Sequence, residues 1–213
     1  MFSNKDPCLA FALQRAAKAG LCAVALGAFT SGAQAAVLFS DNFDSNGLGL
    51  NTVPAGWTAS NGTVDIIGPG LFDLYPGNGA YVDLDGSTNN AGELSQSFSL
   101  DGGVMYSASF TLGGSKRGDS NVVDVSFGNA MQSFTLASND PLALYTVGFT
   151  PATNGSYALT FANQGGDSLG AILFDVQITD TAAIPEPETY ALMLAGLGLL
   201  AVVGKRRLKA TPV

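Results

Sequence analysis

The sequence predicts an all-β protein, an antiparallel β-sandwich of the jelly-roll kind, flanked by an N-terminal signal helix and a C-terminal transmembrane helix. Three observations predict it. The middle of the chain alternates apolar and polar residues with a period of two, turn-forming residues punctuate that alternation at short intervals, and apolar runs beside positive charge are confined to the two ends.

The alternation is plain at Val104, Tyr106, Ala108, Phe110 and Leu112, and again at Val123, Val125 and Phe127. It recurs at Tyr145, Val147 and Phe149, at Tyr157, Leu159 and Phe161, and at Ile172, Phe174, Val176 and Ile178. Small or polar residues fill most intervening positions, as expected of strands with one face on a core and one in water. Gly113-Gly114-Ser115, Ser138-Asn139-Asp140-Pro141, Thr153-Asn154-Gly155 and Gln164-Gly165-Gly166-Asp167 supply the reversals between them. Weaker strand patterns cover residues 37–43, 57–67, 80–84 and 94–100. No stretch of the middle has helical periodicity and none repeats at fixed length, so about nine or ten short strands in one domain point to a sandwich rather than a solenoid or propeller.

The N-terminal end carries Lys5, Arg15 and Lys18, an apolar run over residues 19–29, and small residues ending in Ala33-Gln34-Ala35-Ala36. This basic, apolar, small-residue order predicts a secretory signal peptide over residues 1–35, cleaved after Ala35. Leu21 stands where a lipidated Cys22 would need a small neighbour, so Cys22 is read as part of the apolar run. Both cysteines, Cys8 and Cys22, leave with the signal, and the remaining fold cannot rely on disulfides.

At the other end, Pro185-Glu186-Pro187 precedes an apolar, Gly- and Ala-rich stretch over residues 190–204, closed by Lys205, Arg206, Arg207 and Lys209. The prolines end any preceding strand. The apolar stretch is shorter than the roughly 20 residues of an average span, which predicts transient anchoring, and the positive cluster keeps its side cytoplasmic, placing the preceding domain outside. These three parts in this order resemble the PEP-CTERM sorting signal of Gram-negative bacteria that make exopolysaccharide. The resemblance implies recognition by exosortase, a membrane-embedded cysteine protease, and export through the inner membrane to the cell surface or extracellular matrix.

Between them, residues 36–183 form one domain, since about 150 residues suffice for a self-sufficient core. The tail is residues 184–213. The net charge of −8 conceals an asymmetry: the middle holds only Lys116 and Arg117 against fourteen acidic side chains, a net of −12. Such a domain repels nucleic acid and acidic polymers, so nucleic acid is set aside as a partner. The chain has no histidine, and the middle has no cysteine. That removes Ser-His-Asp and Cys-His chemistry and the usual zinc and copper ligands, and leaves calcium as the metal the composition favours.

Asp41-Asn42-Phe43-Asp44, Tyr81-Val82-Asp83-Leu84-Asp85-Gly86, Leu94-Ser95-Gln96-Ser97-Phe98 and Leu173-Phe174-Asp175-Val176 resemble, loosely, the galactose-binding-like jelly rolls common among carbohydrate-binding modules. That resemblance implies a structural calcium near the chain ends, held by Asp44 and Asp175 with Asp41 as helper. An EF-hand beginning at Asp83 is rejected, because Leu94 falls where its bidentate Glu belongs. Asp83 and Asp85 are expected on the wet face of a strand, with Val82 and Leu84 inward.

Sugar binding uses exposed aromatic faces assisted by amides and carboxylates. Phe72 and Tyr75, in the Gly- and Pro-bounded segment 68–79, are the residues expected to be exposed for that use, while Trp57 and Tyr81 are assigned to the core. The Arg117-Gly118-Asp119 triplet, familiar from adhesion, is read as coincidence. No carboxylate pair stands out for glycoside hydrolysis. The expectation is a non-enzymatic surface or matrix protein, partnered by exosortase, the secretion machinery and extracellular polysaccharide. The alternatives are a secreted glycan-active enzyme and a purely structural matrix protein.

Overall fold

The computed structural model describes residues 35–181 and 193–201. The signal peptide and the sorting residues Pro185, Glu186, Pro187, Lys205, Arg206 and Arg207 lie outside the described residues. Residues 193–201 are helical, with Met193, Leu194, Leu197, Leu199 and Leu200 exposed. Among the described residues, no helix is long and apolar enough to cross a membrane.

Among the described residues eleven strands follow in order: β1 (Val37–Asp41), β2 (Thr58–Ser60), β3 (Asp65–Ile67), β4 (Tyr81–Asp83), β5 (Glu93–Leu100), β6 (Met105–Gly113), β7 (Ser120–Phe127), β8 (Ala130–Ala137), β9 (Ala143–Phe149), β10 (Gly155–Gln164) and β11 (Ile172–Thr181). One sheet runs β3-β4-β11-β6-β9, with β1 also on β11, and the other runs β2-β5-β10-β7-β8. All the strand pairs are antiparallel. The expected β-sandwich is the architecture found.

The alternating positions meet between the sheets. Tyr106, Ala108, Phe110 and Leu112 of β6 face Val123, Val125, Phe127, Leu159 and Phe161 of the second sheet in one continuous core. Phe110 packs edge-on against Phe134 and Phe161, with ring centroids 5.6 and 5.0 Å apart; each such pair adds about 0.5–1.5 kcal/mol beyond the area it buries. Trp57 is buried among Phe39, Phe43 and Phe161. Phe43 sits at φ 62° and is fully buried. This costly conformation is held from both sides: the Phe43 amide donates to Asp41 Oδ1, and the Phe43 carbonyl accepts from the Asn46 amide and side chain.

Three details depart from the sequence pattern. Residues 57–67 are two strands in different sheets, broken where Asn61 turns at φ 60° and where Gly62 passes so close to the Asn90 and Ala91 carbonyls that a Cβ would overlap both. Strand β8 has only a weak alternating signal, because Met131 lies on its wet face and Gln132 on its inner one. In β11 the expected single face of Ile172, Phe174, Val176 and Ile178 is split by a bulge: Phe174 opposes Thr111, yet Val176 opposes Phe110, leaving Asp175 as the extra residue. One inserted residue exchanges the two faces of a strand. Val176 and Ile178 therefore enter the main core, while Ile172 and Phe174 point outward into a second cluster with Ile67, Tyr75 and Tyr81.

Candidate functional site

That second cluster decides the expected sugar-binding aromatics. Segment 68–79 folds back over the outer face of β4 and β11, and Tyr75 is buried beneath it, contrary to expectation. Its ring meets Phe174 and Tyr81 edge-on, and its hydroxyl donates to the Gly114 carbonyl at 2.7 Å. Burial is the main cause that pushes the Tyr75 hydroxyl up to about 12. Phe72 is 64% exposed, at φ 49°. Trp57 and Tyr81 are core residues, as read from the sequence.

Asp83 and Asp85 are also not where the sequence places them. Both are fully buried, because β4 lies between β3 and β11 and the loops 114–119 and 165–170 close over its end. Asp83 Oδ2 lies 2.7 Å from Arg117 Nη2, and Arg117 also donates to the Ser168 and Gly170 carbonyls. Asp83 Oδ1 and Asp85 Oδ2 accept backbone amides from Asp85 and from Asp167 and Ser168. Gly170 is essential here: a Cβ would stand 2.2 Å from the Asp85 nitrogen and 2.5 Å from Asp83 Oδ1. Desolvation raises both carboxyls, Asp83 to about 7 against the opposing pull of Arg117. With Arg117 bound inward and Asp119 accepting from Ser115 and Asn121, the Arg-Gly-Asp triplet is loop scaffolding.

The calcium ligands implied by resemblance do not gather. Asp41 accepts the Phe43 amide on one oxygen and the Trp57 indole N–H, at 2.9 Å, on the other. Asp44 accepts the Ala80 amide and the Asn42 side chain. Asp175 is the exposed bulge residue. Among the described residues, no group of three or more acidic side chains is placed to hold a metal. Asp41 and Asp44 thus act as loop staples.

The opposite end of the sandwich carries a cleft of about 390 Å3 lined by Gly128, Asn129, Phe149, Thr150, Ala152, Ser156, Tyr157 and Ala158. Strand pairing builds it. Phe127 and Ala130 pair across the two-residue turn Gly128-Asn129, with glycine first and at φ 58°, the position that a tight hairpin reserves for positive φ. A Cβ on Gly128 would also strike the Phe149 ring at 2.3 Å. Phe149 forms the buried floor and Tyr157 the half-buried wall, their centroids 5.0 Å apart. The Tyr157 hydroxyl donates to the Thr153 carbonyl at 2.7 Å, which fixes the ring. The lining contains no charged side chain. An aromatic wall beside an amide and two hydroxyls suits a neutral, hydroxyl-bearing ligand. Neither Asn129 nor Tyr157 was singled out from sequence, where Tyr157 reads only as one more inward position; the Gly-Asn pair between two strands was the available signal.

Known proteins compare with the chain as follows. Residues 183–207 match the PEP-CTERM protein-sorting motif. No curated protein matches the sequence. The fold is similar to the CBM22-1 xylan-binding domain of Xyn10C from Paenibacillus barcinonensis, at 16% identity and a TM-score of 0.50, over 70% of this chain and 97% of that one. It is equally similar to a cyclase from Fischerella sp. TAU, at 14% identity and a TM-score of 0.51, over 71% of this chain and 100% of that one. One architecture thus serves a binding domain and an enzyme, and the likeness concerns fold alone. At its C-terminal end this chain carries a PEP-CTERM sorting motif, the mark of a protein exported and sorted to the cell envelope or surface.

Proposed function

We propose that this chain is a non-enzymatic surface or matrix protein of a Gram-negative bacterium, processed by exosortase, whose β-sandwich binds a neutral polysaccharide of the extracellular layer through the Tyr157 cleft. The carrying observation is the cleft itself, with one fixed aromatic face, the polar groups of Asn129, Thr150 and Ser156, and no charge. A neutral lining suits an uncharged chain of sugars and gives an acidic domain nothing with which to hold an anionic one. The xylan-binding domain of the same fold makes neutral glycans the first class to try.

Among the described residues every strand lies between Val37 and Thr181, so residues 36–183 are the fragment to test. Retardation in native gels containing xylan, mannan or β-glucan is the expected result. Tyr157→Ala is expected to weaken retention about fivefold or more, since stacking and burial of one aromatic face are worth about 1–3 kcal/mol. Asn129→Ala, at the turn surface, separates loss of binding from loss of fold. Migration unchanged in every neutral glycan would overturn the binding reading in favour of a purely structural protein. Release of reducing ends would favour the enzyme alternative, for which the cleft offers no carboxylate.

A further inference from the structure

The two flanks of the sandwich are built differently. On one flank the edges are blunted: β2 and β3 are three residues each, and β1 meets β11 through a register irregularity between Val37 and Phe39. On the other, the edges are β8, eight residues long, and β9, seven long, and the two touch. Both run in unbroken register with their inner neighbours. Neither contains Asp, Glu, Lys, Arg or Pro, and each exposes an apolar side chain, Met131 at 72% and Leu144 at 70%. Bulges, charges, prolines and shortness are how sheets avoid edge-to-edge pairing, and all four are missing from this flank.

We infer that β8 is an assembly edge and that its occupant is a second copy of this chain, added antiparallel about a two-fold axis. Charge selects this flank. In a chain of net charge −8, two copies repel over most approaches, whereas β8 against β8 brings no carboxylate of either strand into the seam. The pairing joins two five-stranded sheets and satisfies the free backbone groups of both edges. Register is constrained by the core. Opposed residue numbers must sum to an even value for the inward Phe134 and Leu136 of both copies to stay on one face, which centres the axis on Ser133 or Phe134. Such an interface is isologous and closes as a dimer. It does not depend on the glycan reading.

Sedimentation of the 36–183 fragment between micromolar and near-millimolar concentration is expected to show a monomer–dimer equilibrium. Ser133 is exposed on the wet face of β8 and donates to Asp124 Oδ1 of β7, so Ser133→Lys made together with Asp124→Asn leaves the core untouched while setting two unneutralised like charges opposite or nearly opposite each other. It should raise the dissociation constant about fivefold or more. Ser99→Lys on the outer face of β5, also exposed, should leave it unchanged. The fragment has no thiol, since both cysteines precede residue 36. A short bismaleimide should therefore cross-link Ser133→Cys into a covalent dimer. A monomer throughout the range would overturn the inference, as would a dimer indifferent to Ser133→Lys with Asp124→Asn or a ladder of open polymers.

Discussion

Replacing Arg117 by alanine is expected to cost about 3–5 kcal/mol at pH 8, measured by urea unfolding, because it strands a fully buried carboxylate. Asp83 loses a guanidinium at 2.7 Å, and the carbonyls of Ser168 and Gly170 lose their donors. The pH dependence identifies the cause. Asp83 has a folded value near 7 against 3.8 for a free side chain, so the native state binds the proton more tightly than the unfolded chain. The stability from this group is complete below pH 4 and is lost as pH rises through 7, so the wild-type protein should be more stable at pH 5 than at pH 8. The burial that raises Asp85 acts in the same sense. Removing Arg117 lifts Asp83 further, so the penalty of Arg117→Ala should shrink markedly at pH 5, where the carboxyl carries its own proton. Arg117→Lys keeps the charge without the fork and should fall between. An equal penalty at both pH values would show that the loop contacts, and not the ion pair, carry the effect.

Trp57→Ala should be comparably severe, about 3–5 kcal/mol, since it empties a site walled by Phe39, Phe43 and Phe161. Trp57→Phe refills most of that volume but leaves Asp41 Oδ2 without the indole N–H, a smaller loss of about 1–2 kcal/mol. The ordering distinguishes packing from hydrogen bonding. The chain has one tryptophan, buried to 6% exposure, so wild-type emission should be blue-shifted and report unfolding directly. Red-shifted emission in the native protein would contradict the placement.

The acidic residues show how a composition can be read correctly and placed wrongly. Their number predicts a repulsive surface, yet many are spent on backbone amides: Asp65 accepts from Asn51 and Ser87, Asp140 from Ala137, Asp167 from Leu169 and Asp180 from Ala36. Short carboxylate side chains cap loop N–H groups that no strand satisfies. The wet faces of β5 and β10 carry mainly serine, threonine and alanine. Tyr75 illustrates the complementary error. Glycines and prolines around it correctly signal a loop, but whether a loop stands in water or folds over a sheet depends on what the sheet offers beneath it.

Local chemistry was enough for the sorting motif, whose parts are contiguous, and for the sandwich, because a period of two and sharp turns are properties of neighbouring residues. Tertiary structure alone decided which face each residue served. The bulge at Asp175 turned Phe174 outward and so created the cluster that buries Tyr75, and the closing of two distant loops made Asp83 a core residue paired with Arg117. The cleft likewise joins three segments separated in the chain, and no local pattern records which turn packs beside which strand end.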